Sequence, residues 1–149
     1  MTNTPSILND LIEILKDGQE GFRAAATDVE SSDLKALFSE YSLQRAQYAG
    51  ELQSLARSLG EAAPETAGSV AGALHRGWID LKATFTGKDA HAILVECERG
   101  EDSAVAAYQK ALDTPGMPMN VVDTLRVQSA AVKAAHDRVR DLRDSLAQK

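Results

Sequence analysis

The chain has 149 residues, of which 44% are apolar and only 5% aromatic. This length suits one domain that buries roughly two-thirds of its unfolded surface without disulfides or a structural metal. The formal net charge of −6 argues against nucleic acid as the main partner, and the one cysteine, Cys97, permits no internal disulfide.

The first two predicted helices span about 7–29 and 33–59. The turn between them is so short that it predicts an antiparallel hairpin. Ser32 is the predicted N-cap of the second helix, and Gly60 its C-terminal stop. Apolar residues spaced by three and four predict the inward faces. These faces are Leu8, Leu11, Ile12, Leu15, Phe22, Ala26 and Val29 on the first helix, and Leu34, Leu37, Tyr41, Gln44, Tyr48, Leu52, Leu55 and Leu59 on the second.

The segment after Gly60 is too long for a hairpin turn, so it must carry the chain to a second pair of helices. We predict a crossover helix over 69–85, then a third helix over 89–112 and a fourth over 120–147. The predicted inward face of the third helix is Ile93, Cys97, Gly100 or Glu101, Ala104, Tyr108 and Ala111. That of the fourth is Leu125, Gln128, Val132, Ala135, Val139, Leu142 and Leu146. The sequence thus predicts one all-α domain over 1–149, a four-helix bundle of two antiparallel hairpins with an additional crossover helix.

Two hairpins joined by a long crossover are the topology of ferritin-like folds. Five stretches also resemble an uncharacterised bacterial ferritin-like four-helix-bundle family, which carries a domain of unknown function and is distantly related to rubrerythrin and ferritin. The stretches are 8–12, 34–38, 72–78, 98–102 and 135–140, and the one that contains Trp78 is the most specific. The resemblance implies a ferritin-like fold and a stress-related setting, and it implies no established activity.

A ferritin-like di-iron centre needs a Glu from each of two helices and a Glu-x-x-His pair from each of the other two. The three histidines are His75, His91 and His136, and the residues three positions before them are Gly72, Lys88 and Lys133. The sequence therefore predicts no complete di-iron centre.

A polar layer remains at the predicted middle of the bundle. It comprises Gln19 or Glu20, Gln44 or Gln47, Glu98 or Glu101, and His136. In one interpretation the layer is structural, with Glu101 accepting hydrogen bonds from Arg45 or His136 and fixing the helix register. In the other, Glu20, Glu98, Glu101 and His136 include two or three ligands of one weakly held iron or manganese ion.

The remaining reactive or aromatic residues have simpler interpretations. Glu96 and Glu98 would raise the pKa of Cys97, so we interpret it as a packing residue rather than a nucleophile. Tyr41, Tyr48 and Tyr108 follow helical spacing and are interpreted as core residues whose hydroxyls reach the polar layer.

These patterns indicate no catalytic or cofactor-binding residue. We expect a non-catalytic bundle that acts by association with itself or with a protein partner, without nucleic acid or membrane as partners. No signal peptide or membrane-spanning run is evident, so we expect a cytoplasmic location. The competing hypothesis is a metal-dependent oxidoreductase or iron-handling protein that uses Glu101 and His136. A third is a bundle that binds an apolar ligand between its hairpins.

Overall fold

The computed structural model describes residues 4–60 and 90–147, which form four α-helices and no strands. The helices are α1 (Thr4–Asp28), α2 (Ser32–Ser58), α3 (Ala90–Leu112) and α4 (Met119–Ala147). The prediction of an all-α bundle with four long helices is confirmed for these residues. The predicted crossover helix over 69–85, with His75 and Trp78, lies outside the described residues.

The helices pack as two antiparallel hairpins, α1 with α2 and α3 with α4, and the hairpins meet through α1 with α3 and α2 with α4. The second half of α1 shares an apolar cluster with the starts of α2 and α3 and the second half of α4. The first half of α1 shares another with the ends of α2 and α3 and the first half of α4. Because of this pairing α2 and α3 run parallel on one diagonal of the bundle. Leu59, at the end of α2, and Ala90, at the start of α3, therefore lie at opposite ends of the bundle.

Short-range signals account for both ends of α2. Ser31, rather than the predicted Ser32, is its N-cap, because the Ser31 hydroxyl accepts a hydrogen bond from the Leu34 N–H at 3.2 Å. Gly60 follows the C-cap with φ of +93°. This left-handed backbone conformation is sterically unfavourable for residues with a Cβ but not for glycine.

The predicted inward faces of α3 and α4 are confirmed over most of their length. Every predicted α3 position is buried, with Gly100 and Glu101 both inside. On α4 the five predicted positions from Leu125 to Val139 are buried, and Leu142 and Leu146 pack at the edge of the core. On α1 all the predicted positions except Ala26 are buried, and Ala25 takes the place of Ala26.

The predicted inward face of α2 was right only in part. Leu52 is buried as predicted, whereas the other fully buried residues, Phe38, Ser42, Arg45, Ala49 and Ala56, were not predicted, so the real face is rotated by most of one residue step around the helix. The predicted Leu34, Tyr41, Tyr48, Leu55 and Leu59 are partly buried and pack at the edges of the core. The hydrophobic pattern therefore marks one edge of the inward face rather than its centre.

Within the described residues, no helix is both long and apolar enough to cross a membrane.

Gly50→Ala is expected to raise the free energy of unfolding by about 0.5 to 1 kcal/mol, because glycine is a poor helix former. Gly50 lies inside α2, and a Cβ added there would meet nothing within 4 Å. Chemical denaturation followed by circular dichroism measures the change.

Gly60→Ala serves as the matched control, because an added Cβ also meets nothing within 4 Å but the backbone has φ of +93°. It is expected to lower the free energy of unfolding by about 1 kcal/mol. Equal effects of the two substitutions would contradict the assigned end of α2.

Candidate functional site

The centre of the bundle holds a buried ion pair. Arg45 on α2 and Glu101 on α3 face each other along the diagonal and are 1% and 0% exposed. Arg45 Nη1 donates to Glu101 Oε1, and Arg45 Nη2 donates to Glu101 Oε2 at 2.7 Å. Both carboxylate oxygens are thus engaged in a bidentate contact, the geometry in which an arginine–carboxylate pair is strongest.

The first hairpin holds the guanidinium from other directions. The Arg45 guanidinium carbon lies 5.3 Å from the centre of the Phe22 ring, within the range of a cation–π contact. Arg45 Nε donates to Gln44 Oε1 at 3.1 Å. A Cβ added at Gly18 on α1 would lie 3.6 Å from Arg45 Cγ and Nη1, so the arginine stem packs directly on this glycine. Burial disfavours the charge of Arg45, but the Glu101 carboxylate outweighs it and the pKa of Arg45 is raised.

A second polar network links the hairpins nearer the end of α2. Tyr108 Oη donates to Gln128 Oε1 at 2.7 Å. Gln128 Nε2 donates to Glu51 Oε1 at 2.9 Å and to the Tyr48 carbonyl at 3.4 Å. Burial raises the pKa of Tyr108, so its hydroxyl keeps its proton as the donor of this network. The contacts suit a structural cross-link between α2, α3 and α4.

A different cluster lies at the outer edge of the α3–α4 contact. Glu98 and Asp102 are one helical turn apart on α3, and His136 faces them from α4. His136 Nε2 lies 2.6 Å from Asp102 Oδ1 and 3.9 Å from Glu98 Oε1. These three potential ligand atoms all lie within 4.8 Å of one another. Glu98 and His136 are about 85% buried, whereas Asp102 is mostly exposed.

Two further residues surround this cluster. His136 Nδ1 lies 3.0 Å from Asp137 Oδ1, and Arg143 Nη1 donates to the second oxygen of Glu98. Burial disfavours the imidazolium of His136, but the hydrogen bonds to Asp137 and Asp102 outweigh it and raise its pKa. Asp137 also pairs with Lys133 at 3.1 Å and with Arg140 at 3.5 Å, and Arg143 pairs with Asp144 at 2.8 Å.

The four predicted metal candidates lie in three different places. Glu98 and His136 come together in the cluster described above, while Glu101 pairs with Arg45 at the centre. Glu20 is on the exposed surface of α1, where it pairs with Arg23. Of the two partners considered for Glu101, the structure selects Arg45.

The sequence pattern did not identify Asp102 and Asp137 as neighbours of His136. The signal for Asp102 was its spacing of four residues from Glu98, which places both on one side of a helix. The signal for Asp137 was only its position next to His136 in the chain.

Cys97 packs in the apolar cluster near the start of α3 and is fully buried. Burial, together with the Glu101 and Glu96 carboxylates, raises the pKa of the Cys97 thiol well above its usual value. A thiol in this setting stays protonated and is shielded from reagents.

The family model described as "Domain of unknown function (DUF2383)" matches residues 3–114. The match covers α1, α2 and α3, and it includes Arg45, Glu98, Glu101 and Asp102 but not His136. No curated protein matches the chain.

Proposed function

Because the chain belongs to the family defined by the domain of unknown function DUF2383, we propose its function from geometry: a non-catalytic, ferritin-like bundle that self-associates. The Arg45–Glu101 ion pair at the centre of the bundle carries the non-catalytic part of this proposal, and the groove between α1 and α3 carries the self-association. The bacterial and stress-related setting belongs to the same proposal and rests on the resemblance alone, and the cytoplasmic location rests on the sequence.

The direction of the helices supports a ferritin-like topology. Because α2 and α3 run parallel, the end of one and the start of the other are separated by the length of the bundle. A 27-residue helix such as α2 is about 40 Å long. Two hairpins with a single long connection between them are the ferritin-like arrangement.

Ferritin-like proteins bind two metal ions in the core of the bundle, and in this chain the centre of the bundle holds the Arg45–Glu101 ion pair. Both oxygens of Glu101 accept from Arg45, and the guanidinium would repel a cation placed beside it. Gln44 and the Tyr108–Gln128 pair also make their hydrogen bonds within the protein. Glu13 and Ser42 are further buried polar residues of the first hairpin, and the Ser42 hydroxyl donates to the Gln19 carbonyl. The centre therefore supports a role in holding the two hairpins in register rather than in oxidation chemistry.

A groove between α1 and α3 supports association with a second copy. Its volume is about 520 Å³, and its lining is largely apolar. The apolar lining residues are Ile7, Leu11, Ile14, Ala106, Ala107 and Ala111. Asp10 on α1 and Lys110 on α3 lie on the two sides of this groove. In a two-fold dimer whose axis runs along the groove, α1 of each copy faces α3 of the other, so Asp10 of one copy would pair with Lys110 of the other.

Sedimentation velocity tests this association. We expect a dimer whose fraction falls as the chain is diluted. Asp10→Lys or Lys110→Asp alone should raise the dimer dissociation constant about tenfold, because like charges then face each other across the interface. The double substitution restores opposite charges and should recover dimerisation.

Asp123→Lys on α4 is the control, because it makes the same charge change outside the groove lining. It should leave the dissociation constant unchanged. A chain that stays monomeric at every concentration, or a dimer indifferent to all the groove substitutions, would refute self-association through this groove.

A further inference from the structure

We propose that Glu98, Asp102 and His136 bind one first-row divalent transition-metal ion at the outer edge of the α3–α4 contact. Glu98 and Asp102 offer one carboxylate oxygen each from successive turns of α3, and His136 offers Nε2 from α4. This site is separate from the central ion pair. It does not depend on the proposed self-association, although Asp102 also lines the groove between α1 and α3.

The surroundings of His136 support this assignment independently of the ligand distances. Histidines that bind metals usually donate the hydrogen of their second ring nitrogen to a carboxylate or carbonyl, which fixes the ring and directs the first nitrogen at the metal. Here Asp137 Oδ1 lies 3.0 Å from His136 Nδ1. The ring is thereby held with Nε2 directed at Asp102 and Glu98.

The three ligand atoms lie within 4.8 Å of one another and must shift to coordinate an ion. Metal–ligand bonds of about 2.0 to 2.2 Å require neighbouring ligand atoms roughly 3 to 3.5 Å apart. The 3.9 Å from His136 Nε2 to Glu98 Oε1 must shorten slightly, and the 2.6 Å to Asp102 Oδ1 must lengthen. Asp102 is 61% exposed and has room to turn. On binding, the ion replaces the proton between His136 Nε2 and Asp102, and that proton passes to solvent.

The ligand types select the class of ion. One imidazole and two carboxylates suit Zn²⁺, Mn²⁺ or Fe²⁺, whereas Ca²⁺ takes six to eight oxygen ligands and Mg²⁺ keeps several waters. Arg143 engages the second oxygen of Glu98 and limits this residue to one metal bond. With three protein ligands, at least one position remains for water.

Isothermal titration of the full chain with Zn²⁺, after removal of metals by a chelator and without an affinity tag, tests the proposal. We expect one Zn²⁺ per chain. His136→Gln and Asp102→Asn should each weaken binding at least about tenfold, and Asp137→Ala should weaken it about 10- to 100-fold, because it removes the oxygen that accepts from His136 Nδ1. With Co²⁺ as the probe, His136→Gln should also shift the visible absorption bands, because the nitrogen ligand is lost.

Two controls separate binding from folding. His91→Gln removes another histidine, outside the cluster, and should not change the affinity. Circular dichroism must show that each variant keeps the helical content of the parent chain. The proposal is overturned if Zn²⁺ binding is absent, or if it is unchanged by His136→Gln and Asp102→Asn. Binding of two ions per chain that is lost with Glu101→Gln but not with His136→Gln would overturn it too, and would also contradict the non-catalytic centre proposed above.

Discussion

Glu101→Gln is expected to lower the free energy of unfolding by about 3 to 5 kcal/mol, because it leaves the charge of Arg45 buried without its counter-charge. Arg45 is 1% exposed, so it has little access to water that could replace the lost carboxylate. The loss is a large part of the total stability of a domain, which is typically about 5 to 15 kcal/mol. Urea denaturation followed by circular dichroism at neutral pH gives the change directly.

Two further variants separate the buried pair from a surface charge effect. Glu20→Gln removes one partner of the exposed Glu20–Arg23 pair and should change the free energy of unfolding by less than about 1 kcal/mol. Arg45→Met combined with Glu101→Met removes both buried charges together and should recover most of the loss, because methionines fill a similar volume without desolvated charge. If Glu101→Gln is no more damaging than Glu20→Gln, then the central ion pair does not hold the hairpins together.

The sequence predicted helices well because each helix carries its own local signals. On α3 and α4 most inward residues are apolar at steps of three and four, with Glu101 and Gln128 as the buried polar exceptions, so pattern and burial agree on both helices. On α2 the inward face contains Ser42, Arg45 and Ala49, which a hydrophobic pattern treats as outside. Arg45 is tolerated inside because Glu101 and Phe22 meet it there, and both lie on other helices. Such a contact between helices has no signature within α2 itself.

The candidate metal site also depends on contacts between helices, which the pattern of a single helix does not reveal. The spacing of Glu98 and Asp102 within α3 can be read from the chain, but their proximity to His136 depends on how α3 and α4 are rotated and shifted against each other. One residue step around a helix changes direction by about 100°. Glu98 and Glu101 are three residues apart, which places them about 60° apart around α3, with Glu98 at the edge of the bundle and Glu101 at its centre. The sequence left them as alternatives for one polar layer, because the pattern of a single helix does not tell which of the two faces the centre.

Phe22→Ala is the second substitution with a large expected effect, and it should lower the free energy of unfolding by about 3 to 5 kcal/mol. Phe22 is fully buried, and its ring centre lies 5.9 Å from that of Phe38 and 5.3 Å from that of Tyr41. The ring also supports the guanidinium of Arg45. Removal of the ring therefore opens a cavity and also removes the cation–π contact with the Arg45 guanidinium. Chemical denaturation measures the sum of the two effects.

Phe38→Ala distinguishes the two effects, because Phe38 is equally buried and belongs to the same apolar cluster. A cation–π contact in a desolvated setting is worth about 0.5 to 2 kcal/mol, so Phe22→Ala should exceed Phe38→Ala by roughly that amount. The excess should disappear when both substitutions are repeated in the Arg45→Met, Glu101→Met background, since the cation is then gone. An excess that persists in that background would arise from cavity size alone, and the Phe22 ring would then have no part in stabilising the buried arginine.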